Sequence, residues 1–314
     1  MARIVTLTPN PALDLAASVD RVGPTFKMRC TEPRRDPGGG GINVARVVKR
    51  FGGAVEAIFP VGGCTGQLLH QLVTQEGIVS RTVAMEGETR ENFSVTELAS
   101  SAQYRFVLPG ARLREAEWRA LLAALAATQP APNIVVSSGS LPPGAPADFY
   151  SQAAAVARQL GAKFFLDTSG EPLAAAVEGG VDLIKPNLRE MRELSGVPLS
   201  ADADYVAAAR HHIDTGRVGI VALSLGHHGA LLVTRDGAWR AEALPITPLS
   251  TVGAGDSFLA AIAFSLAKGD CPADALRLGV AAGSAALLHK GTGLSRSEDA
   301  YRLSAEVQVT VVRS

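Results

Sequence analysis

A glycine-rich segment, Gly253-Ala254-Gly255-Asp256-Ser257, leads into an apolar run that is typical of a helix. Glycines at the start of a helix leave several backbone N–H groups unpaired, and these groups together with the positive helix end favour an anion. Asp256 would lie in the first helical turn, beside that anion. A carboxylate there could remove the proton from a hydroxyl as it attacks a phosphate. An aspartate that only stabilises the start of the helix explains this motif equally well.

A second glycine run, residues 38–41, is followed by Ile42-Asn43 and also opens a predicted helix. The run lacks the GxxxxGK[ST] pattern of a P-loop. It also follows Arg34-Arg35-Asp36-Pro37 rather than a clean strand, unlike a dinucleotide fingerprint. Glycines let a ligand approach the backbone closely, and Asn43 can donate to and accept from hydroxyls. The run is therefore either a ligand-binding turn or a tight turn that only starts a helix.

Two further acidic residues follow predicted strands. Asp14 lies just beyond the first strand, at the edge where α/β proteins bind ligands, and could accept hydrogen bonds from two sugar hydroxyls. Glu190 ends the segment Lys185-Pro186-Asn187-Leu188-Arg189-Glu190 and could hold a hydrated Mg²⁺ with a nucleotide phosphate, because Mg²⁺ accepts few carboxylate ligands. Asn187 could face a phosphate from the same turn. A turn aspartate and an ordinary acidic helix start are the structural alternatives.

Four basic residues lie in two segments that interrupt the regular pattern of the chain, and they are Lys27, Arg29, Arg90 and Arg105. Arginine is suited to bidentate recognition of phosphate. Arg105 lies next to Tyr104 and Phe106, where an unpaired guanidinium would be unfavourable. For any single one of the four, a solvated surface is the simpler explanation.

The rest of the chain alternates short apolar runs with longer Ala/Leu-rich segments, which predicts a doubly wound, mainly parallel α/β sheet flanked by helices. The predicted strands are Arg3–Leu7, Ala57–Val61, Asn133–Ser137, Lys163–Asp167, Val181–Lys185, Val218–Leu225 and Ala238–Ala243. The predicted helices are Ile42–Phe51, Gly66–Glu76, Glu115–Ala127, Pro146–Leu160, Leu188–Leu194, Asp202–Asp214, Ala254–Lys268 and Pro272–His289. Residues of about 12–35 and 89–108 break this alternation and predict a small β-sheet lid, the second of them a hairpin.

Composition narrows the class of protein. The 314 residues carry 30 basic and 30 acidic side chains, so no general attraction to nucleic acid or to an anionic membrane is expected. No apolar run reaches the ~18–20 residues that cross a bilayer. The three cysteines lie far apart without a CxxC pair, which favours a reducing compartment over a disulfide or zinc framework. We expect a cytoplasmic, globular enzyme.

The order of these motifs resembles the PfkB (ribokinase-like) carbohydrate kinase family over essentially the whole chain. Its most specific pieces are Gly38–Arg46, Gly139-Ser140-Leu141-Pro142-Pro143-Gly144, Lys185–Glu190 and Thr251–Ser257. The resemblance implies a single ribokinase-like kinase domain over residues 1–314, with ATP as phosphoryl donor, Mg²⁺ as cofactor and a homodimer formed through the lid. It also implies Asp256 as the base and Gly253–Gly255 as the anion hole.

Within the family, the four basic residues resemble the branch that acts on phosphorylated sugars. Thr89–Asn92 and Gln103–Gly110 are most similar to the members that phosphorylate D-fructose 6-phosphate to fructose 1,6-bisphosphate, in glycolysis. Gly40 also favours the kinases of fructose 6-phosphate, because kinases of fructose 1-phosphate usually carry lysine at this position. Asn10-Pro11 instead resembles the kinases of fructose 1-phosphate and tagatose 6-phosphate, which remain the alternatives. A non-catalytic sugar-phosphate sensor is an alternative of another class, and the presence of both Asp256 and Glu190 counts against it.

The resemblance also assigns roles to individual residues. The sugar would be held by Asp14, Gly39, Asn43 and Ser138 or Gly139. The nucleotide site would be lined by Lys185, Asn187, Ser224, Gly226, Gly229, Val280 and Ser284. Many members use a monovalent cation such as K⁺ near the anion hole, and the residues that match its position are Ser250, Val252, Ala286 and Gly291.

Overall fold

The structure, a computed structural model, describes residues 3–289, 291 and 293–312. Its strands are β1 (Arg3–Leu7), β2 (Ala12–Val19), β3 (Arg34–Gly38), β4 (Ala54–Val61), β5 (Val79–Ala84), β6 (Arg90–Glu97), β7 (Gln103–Val107), β8 (Ile134–Ser138), β9 (Lys163–Asp167), β10 (Val181–Ile184), β11 (Val218–Ser224), β12 (Ala230–Thr234), β13 (Ala238–Ala241) and β14 (Val309–Val311). Its α-helices are α1 (Gly40–Arg50), α2 (Gly63–Gln75), α3 (Glu115–Ala126), α4 (Phe149–Gln159), α5 (Glu171–Gly179), α6 (Leu188–Ser195), α7 (Asp202–Asp214), α8 (Ala254–Lys268), α9 (Pro272–Leu287) and α10 (Ser297–Ser304).

Ten strands form the main sheet, in the order β14-β13-β12-β11-β10-β9-β8-β1-β4-β5. The strands from β11 to β5 pair in parallel, and β12, β13 and β14 add antiparallel partners at one edge. Helices cover both faces: Ile4 of β1 packs in a core layer with residues of α1, α8 and α9, whereas Val5 and Leu7 pack with residues of α3, α4 and α7. The predicted doubly wound, mainly parallel sheet is confirmed.

Four short strands form a second sheet, in the order β3-β2-β6-β7. Strand β2 pairs antiparallel with β3 and parallel with β6, and β6 and β7 form a hairpin. These strands come from the two predicted segments, so the small β-sheet lid is confirmed. Residues 20–33, all of which the structure describes, connect β2 to β3 without a strand.

Several elements differ from those predicted. Strands β5, β12 and β14 and helices α5 and α10 were not expected, and β4 begins at Ala54 rather than Ala57. Edge strand β5 lacks the apolar run that identifies a buried strand, because its exposed Val79 and half-buried Ser80 and Arg81 face partly to solvent. Helix α4 begins at Phe149, after a turn in which the Phe149 N–H donates to the Pro146 carbonyl at 3.0 Å, and α9 ends at Leu287. In the described part of the chain, no helix is long and apolar enough to cross a membrane.

Candidate active site

A cavity of about 280 Å³ lies between the lid and the carboxyl ends of strands β8 and β9. This is the edge at which parallel sheets bind ligands. Nine residues singled out from the sequence line it, namely Asp14, Gly39, Asn43, Arg90, Arg105, Ser138, Gly139, Glu190 and Asp256. The fold therefore brings residues that are up to 242 positions apart (Asp14 to Asp256) into one cavity.

Asp256 lies in the first turn of α8, as predicted. Asn43 Nδ2 donates to its Oδ2 at 2.9 Å, and Ser138 Oγ donates to its Oδ1 at 3.3 Å. Burial raises the pKa of this carboxyl, and the hydrogen bond from Asn43 partly opposes that rise. Gly253 precedes the helix with φ of 78°, and a Cβ there would lie 2.5 Å from Leu294 Cδ2, so the turn requires glycine.

A buried ion pair stands beside Asp256. Lys185 Nζ lies 3.2 Å from Asp167 Oδ1, and the side chain of Lys185 is only 6% exposed. Burial lowers the pKa of Lys185, but the carboxylates of Asp167, Glu190 and Asp256 together outweigh that effect and the pKa is raised. The lysine thus carries a positive charge next to the Gly253–Gly255 turn, since a Cβ on Gly255 would lie 3.6 Å from its Nζ.

Asp167 is a site residue that the sequence reasoning missed. It ends strand β9 and lines the cavity, and its Oδ2 lies 3.5 Å from Ser138 Oγ, as an alternative acceptor for the one hydroxyl proton of Ser138. Burial raises its pKa, although the positive charge of Lys185 opposes this. The criterion that singled out Asp14, a carboxylate at the carboxyl end of a strand, would have found Asp167 as well.

Asp14 is buried in the lid side of the cavity. Asn92 Nδ2 donates to its Oδ1 at 2.8 Å, and burial raises the pKa of the carboxyl. The glycine run at the start of α1 allows this helix to approach the cavity closely, because a Cβ on Gly40 would lie 2.1 Å from Ser138 Oγ. A larger residue at that position would clash with Ser138, and the close approach brings Asn43 within reach of Asp256.

The four basic residues divide into two pairs. Arg90 lines the cavity while donating to the backbone carbonyls of Leu108 at 2.6 Å and Asn10 at 2.9 Å. Arg105 lines it with a guanidinium that has no hydrogen-bond or ion-pair partner among the described residues. Lys27 and Arg29 are exposed in the segment 20–33 and do not line this cavity.

Glu190 and Asn187 form a reciprocal cap at the start of α6. The Glu190 N–H donates to Asn187 Oδ1 at 2.9 Å, and the Asn187 N–H donates to Glu190 Oε2 at 2.9 Å. Both residues therefore stabilise the start of α6, as they would in an ordinary helix start. Glu190 also lines the cavity together with Asp167. No close group of three or more metal-ligating side chains occurs in the described part of the chain. A pair of carboxylates such as Asp167 and Glu190 suits a hydrated Mg²⁺ that is shared with phosphates.

The residues predicted for the nucleotide and the monovalent cation lie outside that cavity. Ser224 ends β11 and pairs with Asn187 as an isolated bridge; Gly226 and Gly229 follow it. Val280 and Ser284 are buried in α9, which packs against α8.

Three of the four predicted cation residues are connected. Ser250 Oγ donates to the Gly291 carbonyl at 2.7 Å, and the Val252 N–H donates to Ser250 Oγ at 3.2 Å. The Ala286 carbonyl accepts the His289 N–H at 3.2 Å. The loop before α8 is thereby closed onto the segment that follows α9.

A model of the pfkB family carbohydrate kinases matches residues 8–299. The chain belongs to the pfkB family of carbohydrate kinases. Such an enzyme transfers a phosphoryl group to a sugar hydroxyl, so the predicted reaction class is confirmed and a non-catalytic sensor is disfavoured.

The kinase is 47% identical over 300 residues to the ATP-dependent 6-phosphofructokinase isozyme 2 of Mycobacterium tuberculosis, covering 96% of this chain and 88% of that protein. The enzyme of the same name from Escherichia coli is 41% identical over 306 residues, covering 97% and 99%. A 1-phosphofructokinase of Xanthomonas campestris is 36% identical over 266 residues, which is 83% of each chain.

Solved structures give the same likeness. Phosphofructokinase-2 from Escherichia coli in complex with fructose-6-phosphate has a TM-score of 0.92 at 40% identity, over 98% of this chain and 99% of that one. The same enzyme in complex with potassium has a TM-score of 0.93 at 41% identity, over 98% of this chain and 99% of that one. An Arabidopsis thaliana ribokinase, 19% identical over 97% and 99% of the two chains with a TM-score of 0.74, shares the fold alone. The ribokinase-like fold is confirmed.

Proposed function

We propose that this kinase transfers the γ-phosphoryl group of ATP to D-fructose 6-phosphate, giving fructose 1,6-bisphosphate. One observation carries the proposal: a single cavity holds a carboxylate at a helix start on one side and two lid arginines on the other. The helix start suits the phosphoryl group in transfer, and the arginines suit the phosphate already on the sugar. The relatives named 6-phosphofructokinase support this choice of substrate.

Asp256 is the general base in this mechanism. The attacking hydroxyl would donate to its carboxylate, which Asn43 and Ser138 hold in place. Burial raises the pKa of Asp256, and a carboxylate of raised pKa accepts the proton more readily. The N–H groups of the Gly253–Gly255 turn and the Lys185 ammonium would stabilise the negative charge on the transferred group.

The sugar is assigned to the lid side of the cavity. Asp14, held by Asn92, would accept hydrogen bonds from sugar hydroxyls, and Gly39 and Gly139 would let the ring approach the backbone. Tyr150, which is buried, donates its hydroxyl to the Gly139 carbonyl at 2.7 Å and so fixes the turn beneath the sugar. Lys27 and Arg29 could join only if the segment 20–33 moved or a second subunit brought its lid near.

ATP would lie along the residues of the nucleotide prediction, from Lys185 and Asn187 through Ser224 to Ser284. Mg²⁺ supplies neutralising charge on the phosphates when bound, and two of the four carboxylates that line the cavity, Asp167 and Glu190, are the groups that would hold it. The closed loop of Ser250, Val252 and Gly291 is the assigned place for a monovalent cation. The relative solved in complex with potassium supports K⁺ as that ion.

Fructose 1-phosphate is the second candidate substrate, because a relative named 1-phosphofructokinase covers most of the chain. A lid arginine could bind the phosphate of either isomer, and also that of tagatose 6-phosphate. A coupled assay of the purified protein with ATP and the three sugar phosphates tests the choice. We expect the highest kcat/KM with fructose 6-phosphate, and a preference for either rival would replace the proposal.

Replacing Glu190 by glutamine should raise the Mg²⁺ concentration for half-maximal rate about tenfold, because losing a charge-assisted contact of ~1.5 kcal/mol corresponds to that factor. Glutamine can keep the cap with Asn187, so α6 should stay intact. A Mg²⁺ titration at fixed ATP measures the change. Glu193→Gln is the matched control, since Glu193 is 49% exposed on the same helix. Superimposable titrations of wild type and Glu190→Gln would remove Glu190 from the metal site.

The whole chain is proposed as one kinase domain that forms a homodimer through its lid. The outer side of the lid exposes large apolar side chains that a monomer would leave in water, and they include Phe93, Tyr104, Phe106 and Leu108. A contiguous exposed apolar surface of this kind marks an interaction site. Pairing of two lids would cover it.

Phe106→Asp should convert the dimer to monomer at micromolar concentration, because an unpaired charge would enter the apolar interface. Sedimentation velocity measures the species present. Val79→Asp is the matched control, since Val79 is also exposed, at 67%, but lies on edge strand β5. A wild-type monomer, or a Phe106→Asp variant that sediments like wild type, would contradict the lid interface.

A further inference from the structure

A second cavity, of about 440 Å³, lies among lid strand β3, helix α1 and the segment that leads into helix α10. Its volume is within the range of small-molecule sites, roughly 300–1,000 Å³. Among the described residues, none that lines it also lines the candidate active site. It is therefore a separate cavity that has no role in the proposed reaction.

Positive charge dominates this cavity. Four arginines line it, against one carboxylate, Asp36; the arginines are Arg34, Arg46, Arg50 and Arg296. Glu76 pairs with Arg46 at 2.6 Å and lies 3.7 Å from Arg50. The guanidinium groups thus outnumber the carboxylates, Asp36 and Glu76, that pair with them.

Two of the arginines are held in fixed positions. Arg46 is only 4% exposed and donates from Nη1 to the Pro37 carbonyl at 2.9 Å. Arg50 donates to the Leu294 carbonyl at 3.1 Å and to the Ser295 carbonyl at 3.3 Å. Ordering and partly burying several like charges is unfavourable unless opposite charge compensates them. The hydrogen bonds to backbone carbonyls nevertheless hold these two guanidinium groups at the cavity.

Arg296 completes the cluster. Its guanidinium has no hydrogen-bond or ion-pair partner among the described residues. Burial lowers the pKa of Arg50, and the positive charge of Arg46 lowers it further; Glu76 opposes this, and Arg296 adds a smaller lowering effect. The three guanidinium groups therefore repel one another. An anion between them would relieve that repulsion.

We propose that this cavity binds a small molecule carrying a phosphate or diphosphate group, at a site distinct from the active site. Guanidinium groups donate pairwise to phosphate oxygens, and a phosphate monoester carries about two negative charges near neutral pH. Arg46 Nη1 also lies 3.5 Å from Asn43 Oδ1, and Asn43 holds the carboxylate of Asp256. An anion bound here would therefore contact a side chain that adjoins the catalytic hydrogen-bond network.

Isothermal titration calorimetry of the full chain with inorganic pyrophosphate tests the site. Arg296→Ala should raise the Kd about tenfold or more, the size expected for losing one charge-assisted hydrogen bond. Arg296 is suited to this test because it is exposed and its side chain does not cap α10. Arg277→Ala, an equal loss of charge at a half-buried residue of α9 that does not line this cavity, should leave the Kd within about twofold of wild type.

The active site could also bind pyrophosphate, so Arg105→Ala separates the two places. The proposal requires that Arg105→Ala retain the Arg296-dependent binding, and that Arg296→Lys weaken it less than Arg296→Ala does. Binding that is lost in Arg105→Ala and kept in Arg296→Ala would locate pyrophosphate in the active site and overturn the proposal. Absence of binding to the wild type would overturn it too. Because the readout is binding, its failure is distinct from a failure of the proposed kinase reaction.

Discussion

Asp256→Asn is expected to lower kcat by about 10²- to 10⁴-fold, the usual size of a lost general base. Asparagine has the shape of aspartate and can still bond to Asn43 and Ser138, but it cannot take the proton of the attacking hydroxyl. The KM for the sugar phosphate should change far less than kcat, because the residues assigned to the sugar are untouched. Steady-state kinetics with fructose 6-phosphate and ATP measure both parameters.

The matched control for this variant is Asp274→Asn. Asp274 is also an acidic residue in the first turn of a helix, α9, where it accepts hydrogen bonds from Cys271 and Arg277. If Asp256 only stabilised its helix, the two substitutions would have similar, small effects on kcat. A kcat near the wild-type value in Asp256→Asn would end the assignment of this residue as the base.

The parts of this site that are local in sequence could be predicted. The Gly253–Ser257 turn carries its anion site and its carboxylate within five residues, so spacing alone indicates both. Glu190 and Asn187 are three residues apart, and their roles as cap or ligand could both be named. The alternation of strands and helices likewise predicts the main sheet, because each buried strand is an uninterrupted apolar run.

Features that depend on tertiary pairing could not be predicted. The end of a strand marks Asp167 as a candidate, but its ion pair with Lys185, at 3.2 Å, depends on the pairing of β9 with β10 and is invisible in one sequence. Arg90 is held by the Asn10 and Leu108 carbonyls, which only the lid brings together. The arginine cavity likewise joins β3 to the start of α10, more than 250 residues later.

Arg105→Ala is expected to raise the KM for fructose 6-phosphate by roughly 10- to 150-fold. One charge-assisted bond to a phosphate contributes roughly 1.5–3 kcal/mol, and each ~1.4 kcal/mol is a factor of ten. Arg105 is a sharper target than Arg90, because Arg90 also bonds to lid carbonyls and its loss would disturb the lid. Arg112→Ala removes an exposed arginine just beyond the lid, outside the cavity lining, and should leave this KM unchanged.

Free fructose separates phosphate recognition from a general defect. It has no phosphate for Arg105 to bind, so its kcat/KM should fall far less than that of fructose 6-phosphate in Arg105→Ala. Arg105 also lies near enough to lower the pKa of Asp14 and of Asp256, so its removal could weaken catalysis with either sugar. That effect would be common to both substrates and would cancel in the ratio of their kcat/KM values. A ratio equal to that of the wild type would mean that Arg105 does not bind the phosphate and belongs to the solvated face of the lid.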